Sequence, residues 1–272
     1  MTAKVIVLSG YGLNCEEETL FAFKHSGLDG DIVHINDLIE TPKMLDNYQV
    51  LAIPGGFSYG DDTGSGNAFA QKMKLALWDD LKKFVERDTL TIGICNGCQI
   101  LVNLGLVPAL NEYGQRDVAV TYNASARYQC RWIDVKIEND SPWLSGIETL
   151  HIPVAHGEGR FMMEDDTLEA LKKNSQIAAR YIKSDGSYAN GEFPHNPNGS
   201  GFDIAAMTDR SGRVLAIMPH PERGMFTWQR DDYHELKDKA QRDGVTLSDD
   251  SDGIQIFQNA AKYFQVAIKK SA

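Results

Sequence analysis

The sequence predicts an α/β fold, a central and mostly parallel sheet with helices on both faces. Three observations predict it. Short apolar runs the length of buried strands recur along the first half of the chain. Segments with helical apolar spacing lie between them, and strands that alternate with helices imply right-handed crossovers and a parallel sheet. Several of the runs end on glycine or proline turns that carry reactive side chains, and such sheets bind ligands beyond the carboxyl ends of their strands.

Lys4 to Leu8 reads as the first buried strand, stopping at Ser9-Gly10. Glu16 to Gly27 spaces Leu20, Phe21 and Phe23 as a helix does, and Gly27 suits its stop. Asp31 to Ile35 and Tyr48 to Ile53 are the next strands, the latter ending at Pro54-Gly55-Gly56. Asn67 to Arg87 carries a long amphipathic pattern through Phe69, Met73, Leu77, Leu81 and Phe84. Leu90 to Ile94 is a strand that runs into Cys95-Asn-Gly-Cys-Gln99 and a helix through Leu104. The second half is richer in strand signals: Val118 to Tyr122, Arg131 to Ile137, Ile177 to Ile182, Phe202 to Met207 and Val214 to Met218. A helix from Ile254 to Ile268 closes the pattern. Ser184 to Ser200 and Arg230 to Gly253 read as loops, the first dense in Gly, Asn and Pro, the second in charge. Neither has the character of a linker, and 1–272 is expected to form a single domain.

Composition narrows the partners. The 272 residues are 42% hydrophobic and 24% charged, which leaves little room for long disorder. A formal charge of −11 repels phosphate backbones, so nucleic acid is not an expected partner. Val5 to Leu8 is too short for a signal-peptide core, and no run approaches the roughly 20 residues of a membrane span. A cytoplasmic location is expected, with Cys15, Cys95, Cys98 and Cys130 reduced.

The strongest local signal is Thr91-Ile-Gly-Ile-Cys95-Asn-Gly97-Cys98-Gln99. A strand entering Gly93-x-Cys95-x-Gly97 and then a helix is the cysteine form of a nucleophile elbow. The turn sets Cys95 at a helix N-terminus, whose partial positive charge stabilises an anion there. The N–H of Asn96 would face the developing oxyanion. Two plainer readings stand beside this one: a buried strand-end cysteine, and a redox pair formed by Cys95 and Cys98. His220-Pro221-Glu222 follows the strand that ends at Met218. In extended chain residues i and i+2 project to one side, so Glu222 would orient His220 as the base of a triad with Cys95. Gly56, in the turn after Ile53, would supply a second oxyanion donor. His156, beside Glu158, is the rival for the base and reads better as a residue shaping a nearby loop.

Pro54-Gly-Gly, Gly93-Ile-Cys95-Asn-Gly97-Cys-Gln99 and His220-Pro-Glu222 together resemble the three signatures of class I (triad) glutamine amidotransferases. Gly12-Leu-Asn14-Cys15-Glu16, Gly56-Phe-Ser-Tyr-Gly-Asp61-Asp62, His156-Gly-Glu158-Gly159-Arg160 and Asn196-Pro-Asn198-Gly-Ser200 are similar to the glutaminase subunits of phosphoribosylformylglycinamidine synthase. The resemblance runs from about residue 12 to residue 223 and implies a flavodoxin-like three-layer sandwich with an added antiparallel strand region. It implies that Cys95 forms a γ-glutamyl thioester and releases ammonia, with His220 and Glu222 completing the triad. Gln99 matches a family glutamine that contacts substrate, and Asn123, Ser125 and Arg127 lie where relatives hold its α-amino and α-carboxyl groups. Ammonia would pass to a synthetase subunit, with a small accessory subunit as a further partner. ATP and magnesium would be bound by the synthetase, with no metal and no cofactor on this chain, which also lacks a Gly-x-x-x-x-Gly-Lys-Ser/Thr phosphate loop. The polar stretch of about 227–252 has no counterpart in the family pattern and reads as a solvated insertion. A stand-alone cysteine hydrolase or chaperone with the same elbow is the alternative.

Overall fold

The computed structural model describes the backbone of residues 3–270 and the side chains of residues 3–264. In chain order the elements are β1 (Lys4–Ser9), α1 (Glu16–His25), β2 (Asp29–His34), α2 (Ile35–Glu40), β3 (Val50–Ile53), α3 (Asn67–Glu86), β4 (Leu90–Ile94) and α4 (Asn96–Leu104). There follow β5 (Ala119–Tyr122), β6 (Gln129–Ile137), β7 (Thr149–His156), β8 (Glu158–Met162), α5 (Asp165–Lys173) and β9 (Ile177–Ile182). β10 (Ile204–Thr208), β11 (Val214–Ile217), α6 (Tyr233–Asp243) and α7 (Ile254–Lys270) complete the chain.

Among the described residues, nine strands form one sheet in the order β2-β1-β3-β4-β11-β10-β9-β6-β7. From β2 to β11 the neighbours run parallel, and from β11 to β7 they run antiparallel. The fold is therefore the α/β sandwich that the sequence predicts, with its antiparallel strands added at one side. β3, β4 and β11 are buried at every position, as continuous apolar strands covered on both faces must be. α3 and α4 pack together, with α4 against β3, β4 and β11, while α1 packs on β1, β2 and α7. One connected core runs through both halves of the sheet, from Val5 and Ile6 to Val135, Ile152 and Phe257. β5 and β8 pair as a separate two-stranded sheet. No helix among the described residues is long and apolar enough to cross a membrane.

Three expectations need correction. Ile35 begins α2 instead of ending the second strand. Phe202 lies in a short 3-10 turn with φ 53°, and the strand starts at Ile204. The charged stretch from Arg230 to Gly253, read as a loop, contains α6, in which only Ala240 is buried. β7, β8 and α5 also had no counterpart in the sequence reading.

The parallel registers pair Ile53 with Gly93 and Ile94 with Ile217. The carboxyl ends of β3, β4 and β11 therefore lie side by side, which sets the turns after Ile53, Ile94 and Ile217 at one edge of the sheet.

Candidate active site

The elbow forms because two glycines allow backbones to meet. A side chain at Gly97 would collide with the carbonyl oxygen of Ile53 in β3, and one at Gly93 would lie 2.7 Å from Leu101 Cδ1. α4 thus starts directly over the sheet. Cys95 takes φ 50° and ψ −102°, a conformation that costs about 1–3 kcal/mol and persists where the surroundings determine it. Here its N–H donates to Ile217 at 2.8 Å, tying the nucleophile's turn to β11. The Cys95 side chain is 5% exposed, with its Sγ 3.7 Å from the Ala155 carbonyl oxygen of β7.

His220 and Glu222 are 2% and 0% exposed, and His220 Nδ1 lies 2.5 Å from Glu222 Oε1. The contact arises differently from the extended geometry expected. Pro221 to Arg223 form a 3-10 turn that begins with proline, and this turn brings Glu222 under the ring. The His220 N–H donates to the Pro153 carbonyl of β7 at 2.8 Å. Burial alone would push the imidazole toward its neutral form. The Glu222 carboxylate, then Cys95 and Cys15, outweigh it and hold His220 well above its ordinary pKa. Among the described residues, none hydrogen-bonds Nε2. A buried sulfur, a charged ring and a buried carboxylate in this order can serve nucleophilic acyl transfer.

The walls come from the other predicted segments. Gly56 has φ 153° and fits against Gly12 and Leu13, where a side chain would lie 2.6 Å from Leu13 Cα. Ser58, two residues on, donates its N–H to Asn96 Oδ1 at 3.2 Å, linking the glycine turn to the residue after the nucleophile. Gln99 donates to the Glu158 carbonyl at 2.5 Å and accepts from Asn96 Nδ2 at 2.8 Å. Its amide is thus a buried strut as well as part of the wall. Asn123 donates to the carbonyls of Arg127 and His156 and lies 3.1 Å from His156 Nδ1. Ser125 and Arg127 are exposed on the turn between β5 and β6. His156 is buried and neutral, pushed down to about 3 by burial and by the charge of His220. Cys98 is fully buried and Cys130 is exposed.

Sequence reasoning missed two neighbours. Cys15 Sγ accepts from Arg223 Nη2 at 3.0 Å, and both lie against His220. Arg223 immediately follows Glu222, and Cys15 follows β1; the signal available was that β1 ends at the same edge as β3, β4 and β11. Asp61, near Asn96, is raised to about 6 by burial, opposed by Ser65 and aided by Glu158 and Asp62.

Comparison with known proteins agrees with this geometry. The profile of the CobB/CobQ-like glutamine amidotransferase domain matches residues 2–264. The phosphoribosylformylglycinamidine synthase subunit PurQ of Methanococcus maripaludis is 49% identical over 266 residues, covering 96% of this chain and 97% of that one. The subunit of the same name from Dehalococcoides mccartyi is 39% identical over 262 residues, covering 96% and 97%. A chain in the structure of PurLQS from Thermotoga maritima superposes with a TM-score of 0.69 at 29% identity, covering 97% of this chain and 100% of that one. The chain belongs to the class I glutamine amidotransferases with a CobB/CobQ-like domain.

Proposed function

We propose that this chain is the glutaminase subunit of a phosphoribosylformylglycinamidine synthase, with Cys95 as nucleophile, His220 as acid and base, and Glu222 as its orienting carboxylate. The observation that carries the reading is the buried His220–Glu222 pair, whose imidazole feels the elbow cysteine Cys95. Cys95 Sγ, as thiolate, attacks the side-chain carbonyl carbon of glutamine. The carbonyl oxygen gains the negative charge, received by the N–H groups of Asn96 and Gly56. The tetrahedral adduct collapses as His220 gives its proton to the leaving nitrogen, so the C–N bond breaks and ammonia departs. A γ-glutamyl thioester remains. His220, now neutral, takes a proton from water, the hydroxide adds to the thioester, and glutamate leaves as the thiolate returns. Gln99 would contact the bound glutamine, and Asn123, Ser125 and Arg127 would hold its α-amino and α-carboxyl groups, as the resemblance implies. The ammonia serves a synthetase subunit that binds ATP and magnesium and amidates formylglycinamide ribonucleotide, in a cytoplasmic assembly with a small accessory subunit. The PurQ relatives and the PurLQS likeness support that assignment.

Cys95→Ala in the assembled enzyme tests it. Glutamine-dependent amidation is expected to vanish while amidation from added ammonium survives. Survival of both activities would overturn the role of Cys95. Cys98→Ser is expected to keep turnover, because its thiol is sealed in the core.

A further inference from the structure

We propose that Cys15, His220 and Glu222 form a site for a soft divalent cation, zinc above all, whose binding silences the glutaminase by seizing its base. The silencing rests on the function proposed above; the binding does not. One ligand atom from each of the three side chains lies within 4.8 Å of the other two, and all three are buried. Thiolate, imidazole and carboxylate are the donors zinc prefers. Zinc holds ligands at about 2.0–2.3 Å, so neighbouring donor atoms sit roughly 3.5 Å apart around it. Closing the group requires side-chain shifts of about an ångström.

The geometry points to the Nδ1 side of the ring. A methyl group built on Gly55 would lie 2.7 Å from His220 Cε1, 3.4 Å from Nδ1 and 3.1 Å from Cys15 Sγ, so the sulfur shares that edge of the imidazole. The hydrogen on Nδ1 lies between the ring and Glu222 Oε1. A cation replacing it would meet Cys15 as third ligand. Glu222 Oε2, in a side chain with no exposed surface, has no hydrogen-bond partner among the described residues. An unsatisfied buried carboxylate oxygen is a costly arrangement that a cation relieves. The Cys15 thiolate and the Glu222 carboxylate together neutralise the ion. Arg223, 3.0 Å from Cys15 Sγ, is the opposing charge; it is partly exposed and also paired with Glu18.

Protons balance as follows. Binding releases one proton from the Cys15 thiol and one from Nδ1 of the charged His220 ring, two in all. The ring left behind carries its remaining proton on Nε2 and cannot accept another, so it cannot act as the base. The groups that bear on His220 include Glu222 and Arg223 in its own turn, Cys15 on the α1 side, Cys95 at α4, Tyr128 between β5 and β6, and His156 of β7, which is neutral.

Two measurements test the proposal. The full chain carrying Cys95→Ala is titrated with zinc in competition with a chromophoric chelator, a readout independent of activity. It is expected to bind zinc, and adding Cys15→Ser or Cys15→Ala is expected to weaken binding about tenfold or more, the loss that even an outer-shell partner of a metal can produce. In the assembled enzyme, zinc is expected to abolish glutamine-dependent turnover and spare ammonium-driven turnover. Zinc affinity unchanged by both Cys15 substitutions overturns the site. So does loss of binding in Cys95→Ala, which would put the ion on the nucleophile. Zinc that binds through Cys15 yet leaves glutamine turnover intact overturns the silencing alone.

Discussion

At the scale of single residues, His220 is governed by what surrounds its ring. Glu222→Gln keeps the volume and removes the charge that holds the imidazole protonated. Glutamine turnover is expected to fall about 10²-fold or more, the scale of general acid–base catalysis. The sign of the pH effect follows from the direction of the shift. His220 stands well above its ordinary value in the native protein, so removing the carboxylate lowers it, and the high-pH limb of the rate profile moves toward lower pH. A profile that keeps its position would mean that Glu222 does not set the charge of the ring. Gly55→Ala is a second case. Its methyl group would lie 2.7 Å from His220 Cε1 and displace the ring. A misplacement of that order costs up to about 10²-fold in rate. The variant is expected to keep its circular dichroism and lose glutamine turnover; full activity would show that the ring has room to move.

Among the elements, the polar stretch of about 227–252 is clasped to the sheet at His151. His151 in β7 lies 2.7 Å from Asp134 and 2.9 Å from Asp231, and its backbone N–H donates to Asp252. Arg230 pairs with Asp232 and Asp252 beside it. Burial pushes His151 down, but Asp134 and Asp231 outweigh it and hold the ring above its ordinary range. A raised histidine contributes stability that is complete below the unfolded value of about 6.5 and is lost as pH rises through the folded value. The protection factors of the α6 amides, which correct exchange for its intrinsic pH dependence, are therefore expected to fall above that pH, and His151→Gln is expected to remove the fall. Protection factors that ignore pH in the native chain would show that the clasp does not hold α6.

The same elements explain what the sequence could and could not disclose. β3, β4 and β11 were legible because each is a continuous apolar run closed by a turn, and the residues of the proposed triad stood out because each follows such a run. β7 was not, because Pro153 argues against a strand. It is tolerated there because β7 lies at the edge of the sheet. α6 was hidden because a helix burying only Ala240 has no apolar period to read. Cys15 was hidden because its partners, Arg223 and His220, meet it only across the fold.

For the molecule as a whole, the core joins the two halves of the sheet through aromatic contacts. Phe23 of α1 meets Phe257 of α7 edge-on at 4.9 Å and Trp143, between β6 and β7, at 6.5 Å. We propose that 1–272 is a single cooperative domain, and a single unfolding transition is expected; two separated transitions would divide it. Phe23→Ala is expected to lower the unfolding free energy by about 3–5 kcal/mol, as loss of a fully buried aromatic does. A denaturation midpoint left in place would show that this cluster does not join the halves. The hydrogen bond from His220 to Pro153 has a consequence for synthesis. Cys95 leaves the ribosome long before His220, and the backbone of His220 is tied to Pro153 on the edge strand β7. With the roles proposed above, an unfinished chain would hold an unarmed thiol, and glutamine would be spared until His220 is in place.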